Sequence, residues 1–325
     1  MFRTFRIATT ASLLTLGGLA PAASAADLDV VASFSIIGDF AKNVGGDRVA
    51  LTTLVGPDGD AHVYEPRPAD AVALEKAGVV LVNGLEFEGF MKRLIETSGT
   101  RATVVEVTKG IEPLKPEEEE HHHDETAEAA GHDHDETEEA GHEGHHHHGE
   151  FDPHAWQSIA NAEIYVKNIA DAFCAADTAG CATYTANADA YLARLAALET
   201  EVKAAIEAIP VDKRTIITSH DAFGYFAHEY GLTFIAPEGV STEAEASAAD
   251  VARLVDQVKE DKASAIFLEN ITNPRLVEQI ASETGLKVGG TLYSDALSGE
   301  DGPAATYIDM VRHNVETIKA AILGG

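Results

Sequence analysis

The sequence predicts an α/β protein of two lobes, each built on a parallel sheet, joined by one long rigid helix. Three observations predict it. Short β-branched runs alternate with segments of helical period in both halves of the chain, a single amphipathic stretch at 181–209 separates the halves, and 325 residues suffice for two domains.

The chain opens on a secretory signal peptide at 1–25. Arg3 and Arg6 precede a weakly apolar stretch at 7–20, and Ala23-Ser24-Ala25 supplies a small-residue cleavage site. The arginines are not adjacent, which favours general export over a twin-arginine route, and Ala26 rather than Cys follows the cut, which argues against a lipid anchor. No later stretch approaches the roughly twenty apolar residues of a spanning helix, so the mature chain is expected to be soluble and periplasmic.

The first lobe is expected over 26–180. Runs at 28–33, 49–55, 79–82 and 103–107 read as buried parallel strands, separated by helical patterns at 36–44, 68–77 and 87–96. A tract at about 113–150 then interrupts the chain before a helix expected at about 156–173. From Glu117 to Glu150 it has no aromatic and no branched aliphatic residue, too little apolar area to offset the entropy of ordering, so a disordered loop is expected. Ten of the fifteen histidines lie in it: His121, His122, His123, His132, His134, His142, His145, His146, His147 and His148. Imidazole suits borderline metals and the interleaved carboxylates raise local cation concentration, which points to auxiliary metal contacts. A purification tag is the bland alternative, but tags sit at termini.

Cys174 and Cys181 are the only cysteines, and an exported compartment allows them to pair. On one continuous helix their Cα atoms would stand about 10 Å apart, too far for a disulfide. Pairing therefore requires a turn at 177–180; two free thiols are the alternative. From Cys181 to Ile209, apolar residues recur every three or four positions and Pro210 follows, which marks one connecting helix roughly 44 Å long. The second lobe, 210–325, repeats the alternation, with strands at 215–218, 233–236, 265–268 and 287–292 and helices near 222–230, 247–260, 273–284 and 303–322.

A formal charge of −31 excludes nucleic acid as a natural partner and suits a cation. Outside the tract, His62 and His154 lie in loops leaving strand carboxyl ends, His220 directly follows a strand, and Asp295 follows the last one; open parallel sheets place ligands at that edge. A single loop histidine is more often a surface group. Three imidazoles and a carboxylate at such places in both halves form a four-coordinate set suited to Zn²⁺. Glu269 also ends a strand and is a candidate to hold a ligand imidazole by its other nitrogen. His228 and His313, on helices, are expected to be solvated.

At these residues the chain resembles the ZnuA-like family of metal-binding receptors that serve bacterial zinc and manganese ABC importers. Gly56-Pro57-Asp58-Gly59-Asp60-Ala61-His62-Val63-Tyr64-Glu65-Pro66 is similar to the family's first-ligand loop and Asp152-Pro153-His154-Ala155-Trp156 to its second. Thr218-Ser219-His220-Asp221-Ala222-Phe223-Gly224-Tyr225-Phe226 resembles the third, where zinc members carry His and manganese members usually Glu, and Leu292-Tyr293-Ser294-Asp295-Ala296-Leu297-Ser298 the fourth. The resemblance implies two Rossmann-like (βα)4 lobes with metal in the interlobe cleft, a monomer, and an importer permease and its ATPase as partners. A periplasmic zinc metallochaperone is a further candidate partner. The cysteines depart from the family, whose zinc members commonly place a disulfide in the second lobe.

These observations predict a high-affinity zinc receptor and no enzyme. A receptor for manganese or another divalent metal, or a metal buffer working through the tract, are the alternatives. A zinc hydrolase would need an open coordination position and a general base, as in H-E-x-x-H, and that motif is absent.

Overall fold

The computed structural model describes residues 27–116, 149–244 and 246–324. The expected signal peptide and the ten histidines from His121 to His148 lie outside the described residues. Strand β1 (Leu28–Phe34) leads into α1 (Ser35–Gly45), followed by β2 (Val49–Val55), α2 (Pro68–Lys76), β3 (Val79–Val82), α3 (Gly89–Ser98) and β4 (Thr103–Glu106). These strands pair in parallel in the order β2-β1-β3-β4. After β5 (Thr215–Ile217) come α6 (Gly224–Tyr230), β6 (Thr233–Ile235), α7 (Ala248–Asp261), β7 (Ala265–Glu269), α8 (Pro274–Thr284) and β8 (Val288–Leu292). Their order, β6-β5-β7-β8, repeats the first sheet's crossover. In each sheet the chain steps to one side of its first strand and then to the other, and the switch opens a crevice at the carboxyl edge.

Helices α4 (Ile159–Ala176) and α5 (Cys181–Glu207) run between the sheets in sequence, and α9 (Tyr307–Leu323) ends the described chain. The 27 residues of α5 make a rod of about 40 Å. Its buried stripe, Tyr184, Ala188, Tyr191, Leu195, Leu198, Val202 and Ile206, packs against α1, α4 and α9. One continuous core runs from β1, β3, α1 and α4 through α5 and α9 to β5 and β7, while smaller cores lie under α2 with α3 and under α7 with α8. Asp39 on α1 ties the three parts together, accepting hydrogen bonds from the Tyr307 amide (3.0 Å) and the Tyr191 hydroxyl (3.2 Å).

Three expectations are corrected. Strands β2 and β4 are not buried throughout: β2 alternates until its buried end, Leu54 and Val55, and β4 is mostly exposed, because both are sheet edges where β-branched side chains cover a half-solvated surface. The helix expected from residue 156 starts at Ile159, where the Ser158 side chain accepts from the Asn161 amide, and Ala155–Gln157 form a separate 3₁₀ turn. His313 is half-buried with Nε2 3.0 Å from the Thr291 carbonyl, whereas His228 is exposed as expected. Among the described residues no helix is long and apolar enough to cross a membrane.

Cys174 and Cys181 form a disulfide, their Cα atoms 4.3 Å apart across the 177–180 turn that joins α4 to α5. Gly180 is closely packed there: a Cβ would stand 2.3 Å from Asp177 Oδ2 and 2.5 Å from Arg48 Nε, so those side chains would have to shift. The bridge closes a short loop, so Cys174→Ser with Cys181→Ser is expected to cost about 2.5 kcal/mol by loss of loop-closure restraint. Thermal melting followed by circular dichroism should show a lower midpoint with native secondary structure retained below it.

Candidate metal centre

Each functional side chain is delivered by a loop at the carboxyl edge of a sheet. The loop after β2 carries His62, whose amide donates to Asp60 Oδ1 (2.9 Å), while the Thr242 hydroxyl of the second lobe donates to Asp60 Oδ2 (2.6 Å). Asp58 in the same loop accepts from Asn270 Nδ2 (3.0 Å), and its amide donates to the Leu297 carbonyl (2.9 Å). The His62 loop is thus fastened to the opposite lobe.

His154 sits where the chain turns into the 3₁₀ segment. Asp152 Oδ1 lies 2.9 Å from its amide nitrogen and 2.8 Å from its Nδ1. That carboxylate fits because Gly224 has no Cβ, which would stand 2.5 Å from Asp152 Oδ2. Asn83 Nδ2 donates to the Pro153 carbonyl (2.8 Å), and Asn83 is itself held by Tyr165 (2.5 Å) and by buried Glu88, which accepts from the Asn83 amide (2.7 Å) and Ser33 Oγ (2.5 Å). Burial pushes the Glu88 carboxyl up to about 7 against these hydrogen bonds. Beyond His154, Trp156 Nε1 and Gln157 Nε2 both donate to the Ser294 carbonyl, at 2.9 and 2.8 Å, beside Asp295.

His220 follows the central strand β5. Glu269, at the end of β7, accepts from the amides of Ser219 (2.7 Å) and His220 (3.0 Å) through Oε1, and its Oε2 lies 2.7 Å from His220 Nδ1. Asp295 follows β8. The four residues therefore share an edge but not a topological position, since His62 and Asp295 trail edge strands and His220 a central one.

All four predicted residues meet in one buried cluster, with one donor atom from each lying within 4.8 Å of the others. Asp295 Oδ2 is 3.2 Å from His62 Nε2 and 3.1 Å from His220 Nε2, and Oδ1 is 3.6 Å from His154 Nε2. Because carboxylates occupy Nδ1 of His154 and His220, each presents Nε2 inward. His62 Nε2, His154 Nε2 and Asp295 Oδ1 make no hydrogen bond, so the cluster is a set of inward-facing donors with room for a cation. Phe87 packs edge-on against His62 (4.7 Å) and Trp156 against His154 (5.3 Å), and these rings wall the centre off from water.

The electrostatics couple strongly. Burial would lower the His154 imidazole, but the Asp295 and Asp152 carboxylates outweigh it and raise it to about 9. His220 is likewise held well above the ordinary imidazole range, burial being overcome by Glu269 and Asp295. Burial opposes ionisation of Asp295, yet His154 and His220 hold it well below the usual carboxylate range. In this cluster, then, imidazoles and carboxylate each favour the other's charged form. Glu269 lies where the sequence placed it. Asp152, Asn83 and Glu88 went unrecognised; only the spacing of Asp152, two residues before His154, was a usable signal.

Residues 30–321 match the family described as ZnuA, zinc-uptake complex component A, periplasmic. Over 317 residues the chain is 32% identical to the iron-binding protein YfeA of Yersinia pestis, spanning 97% of this chain and 93% of that protein. It is 33% identical over 295 residues to the manganese-binding lipoprotein MntA of Halalkalibacterium halodurans, spanning 91% and 88%. Its fold is similar to the solved structure of the periplasmic zinc-binding protein TroA of Treponema pallidum, with a TM-score of 0.78, 30% identity, and coverage of 91% of this chain and 99% of that one. With its two four-stranded parallel sheets and helical connection, the chain belongs to the ZnuA family of periplasmic metal-binding receptors of ABC transporters, which are transport receptors and not enzymes.

Proposed function

We propose that this protein is a periplasmic zinc receptor that holds Zn²⁺ through Nε2 of His62, His154 and His220 and a carboxylate oxygen of Asp295, and delivers it to the permease and ATPase of an inner-membrane ABC importer. The observation that carries this reading is the buried donor set itself: three nitrogens and one oxygen converging within 4.8 Å. Such an N₃O set matches the four-coordinate preference of Zn²⁺, and Asp152 and Glu269 give two of the imidazoles the carboxylate partners that metal-bound histidines need. Four protein donors fill a tetrahedron and leave no place for an activated water, in keeping with a receptor. A manganese or iron receptor is the competing reading, because two relatives are named for those metals. Harder ions prefer oxygen, so the imidazole at 220 favours zinc.

His220→Ala should weaken zinc binding by at least about a hundredfold, more than loss of a supporting partner alone. Competition with a zinc chelator reads this directly, and unchanged affinity would remove His220 from the site. His220→Glu should shift the zinc-to-manganese affinity ratio toward manganese.

Zinc must displace the protons that His154 and His220 carry. Because their neighbours push those imidazoles upward, to about 9 for His154, affinity should keep rising from pH 6 toward pH 9 and fall as pH is lowered. Calorimetry in buffers of differing ionisation enthalpy at pH 7 should record about two protons released per zinc. An affinity already flat above pH 7 would contradict this.

The tract from His121 to His148 is proposed as an auxiliary, weaker metal-collecting segment. Gly149, the residue after it, lines a cavity that reaches His62, which supports a role in supply. Deleting 117–148 should leave the tight site and secondary structure intact while zinc stoichiometry falls toward one per chain. Loss of the tight site would make the tract part of the centre.

A further inference from the structure

A cavity of about 90 Å³ lies beside the metal centre, walled by His62, Glu86, Phe87 and Gly149 of the first lobe and by Val240 and Glu243 of the second. Of the four clustered residues only His62 lines it, and only His62 retains any exposure, 7% against 0% for His154, His220 and Asp295. The cavity therefore meets the cluster at His62 alone. His62 Nε2 is buried, makes no hydrogen bond and stands 3.2 Å from Asp295 Oδ2, so this one side chain both borders the cavity and reaches the inner donors.

Among the described residues, the carboxylates on the cavity wall are Glu86 and Glu243, from opposite lobes. Glu86 follows β3 and Glu243 follows β6, and both residues are exposed. Glu243 crosses the gap: its Oε1 lies 4.0 Å from the place a Cβ on Gly89 would take. Glu86 Oε2 stands 3.1 Å from the equivalent point on Gly149, at the third side of the opening. Phe87 also lines the cavity, its ring edge-on to His62 at 4.7 Å. A cleft lined by one sign of charge with apolar walls focuses the field and concentrates counter-ions at its mouth.

We propose that Glu86 and Glu243 form a capture site for a hydrated divalent cation, which passes from them to His62 before it reaches His154, His220 and Asp295. This rests on the reading of the buried cluster as the metal centre. The rim would set how fast the ion arrives, and the buried donors how tightly it stays.

The test is stopped-flow mixing of zinc chloride with the full chain at low ionic strength, read by the fluorescence of Trp156, the sole tryptophan, or by a zinc indicator dye. In Glu86→Gln with Glu243→Gln, association should slow about fivefold, dissociation should change less than twofold, and the loss should shrink as salt is added. The control, Asp47→Asn with Glu283→Gln, removes the same charge at exposed positions before β2 and in the last turn of α8, on the far side of the sheets, and should leave the rate nearly unchanged. An unaltered association rate, an equal loss in the control, or a change confined to dissociation would overturn the capture site. Absence of any tight zinc site in the unmodified protein, by chelator competition, would instead overturn the reading of the centre.

Discussion

A fully buried carboxylate surrounded by three imidazoles is the constraint on which the rest of this structure depends. An isolated ionised Asp295 would suffer a desolvation penalty of several kcal/mol, so its charged form depends on positive charge beside it. Protonated His154 and His220 can supply it, and their upward displacement and the downward displacement of Asp295 describe one attraction from two sides. A divalent cation brings the same two charges. Under the proposed function, loading would therefore exchange protons for metal without leaving a buried group uncompensated at either end.

The direction of each ring follows from that centre and propagates outward. Nε2 faces inward on His154 and His220 only because Asp152 and Glu269 occupy Nδ1, and those carboxylates are fixed in turn by backbone amides. The His154 loop is held from beneath by Asn83, and Trp156 and Gln157 reach across to the Ser294 carbonyl one residue before Asp295. Ser35 accepts from the Leu297 amide at 2.9 Å on the other side of the same loop. These polar contacts between the lobes thus form the scaffolding of the four-residue cluster itself.

How much of this was legible in the sequence depends on the range of the interaction concerned. The α5 stripe from Tyr184 to Ile206 was readable because helical periodicity is local, and so was the turn that lets Cys174 meet Cys181. His62, His154, His220 and Asp295 could be singled out because His220 and Asp295 follow strands and His62 and His154 lie in loops leaving strand carboxyl ends, the edge where ligand-bearing loops gather. Asp152 escaped notice as a partner since nothing local distinguishes a carboxylate that orients a ring from one that caps a turn. Asn83 and Glu88 were invisible for a stronger reason: their roles arise from contacts with Tyr165 and Ser33, which only tertiary folding brings together. The exposed edges β2 and β4 failed similarly, because strand order is not written in composition.

The division of donors between lobes has a mechanical consequence. His62 and His154 come from the first sheet's loops and His220 and Asp295 from the second's, so separating the lobes splits the set two and two. Neither half alone can satisfy a four-coordinate ion, and the Asp58, Asp60, Trp156 and Gln157 contacts would break in the same motion. Resisting that motion are α5 and α9, which share one apolar core with both sheets and are pinned by Asp39. Under the proposed function, retention and release are then governed by one coordinate, the distance between two carboxyl edges. A transporter that parts those edges needs no chemistry to free the ion: it removes half of the ligands at once.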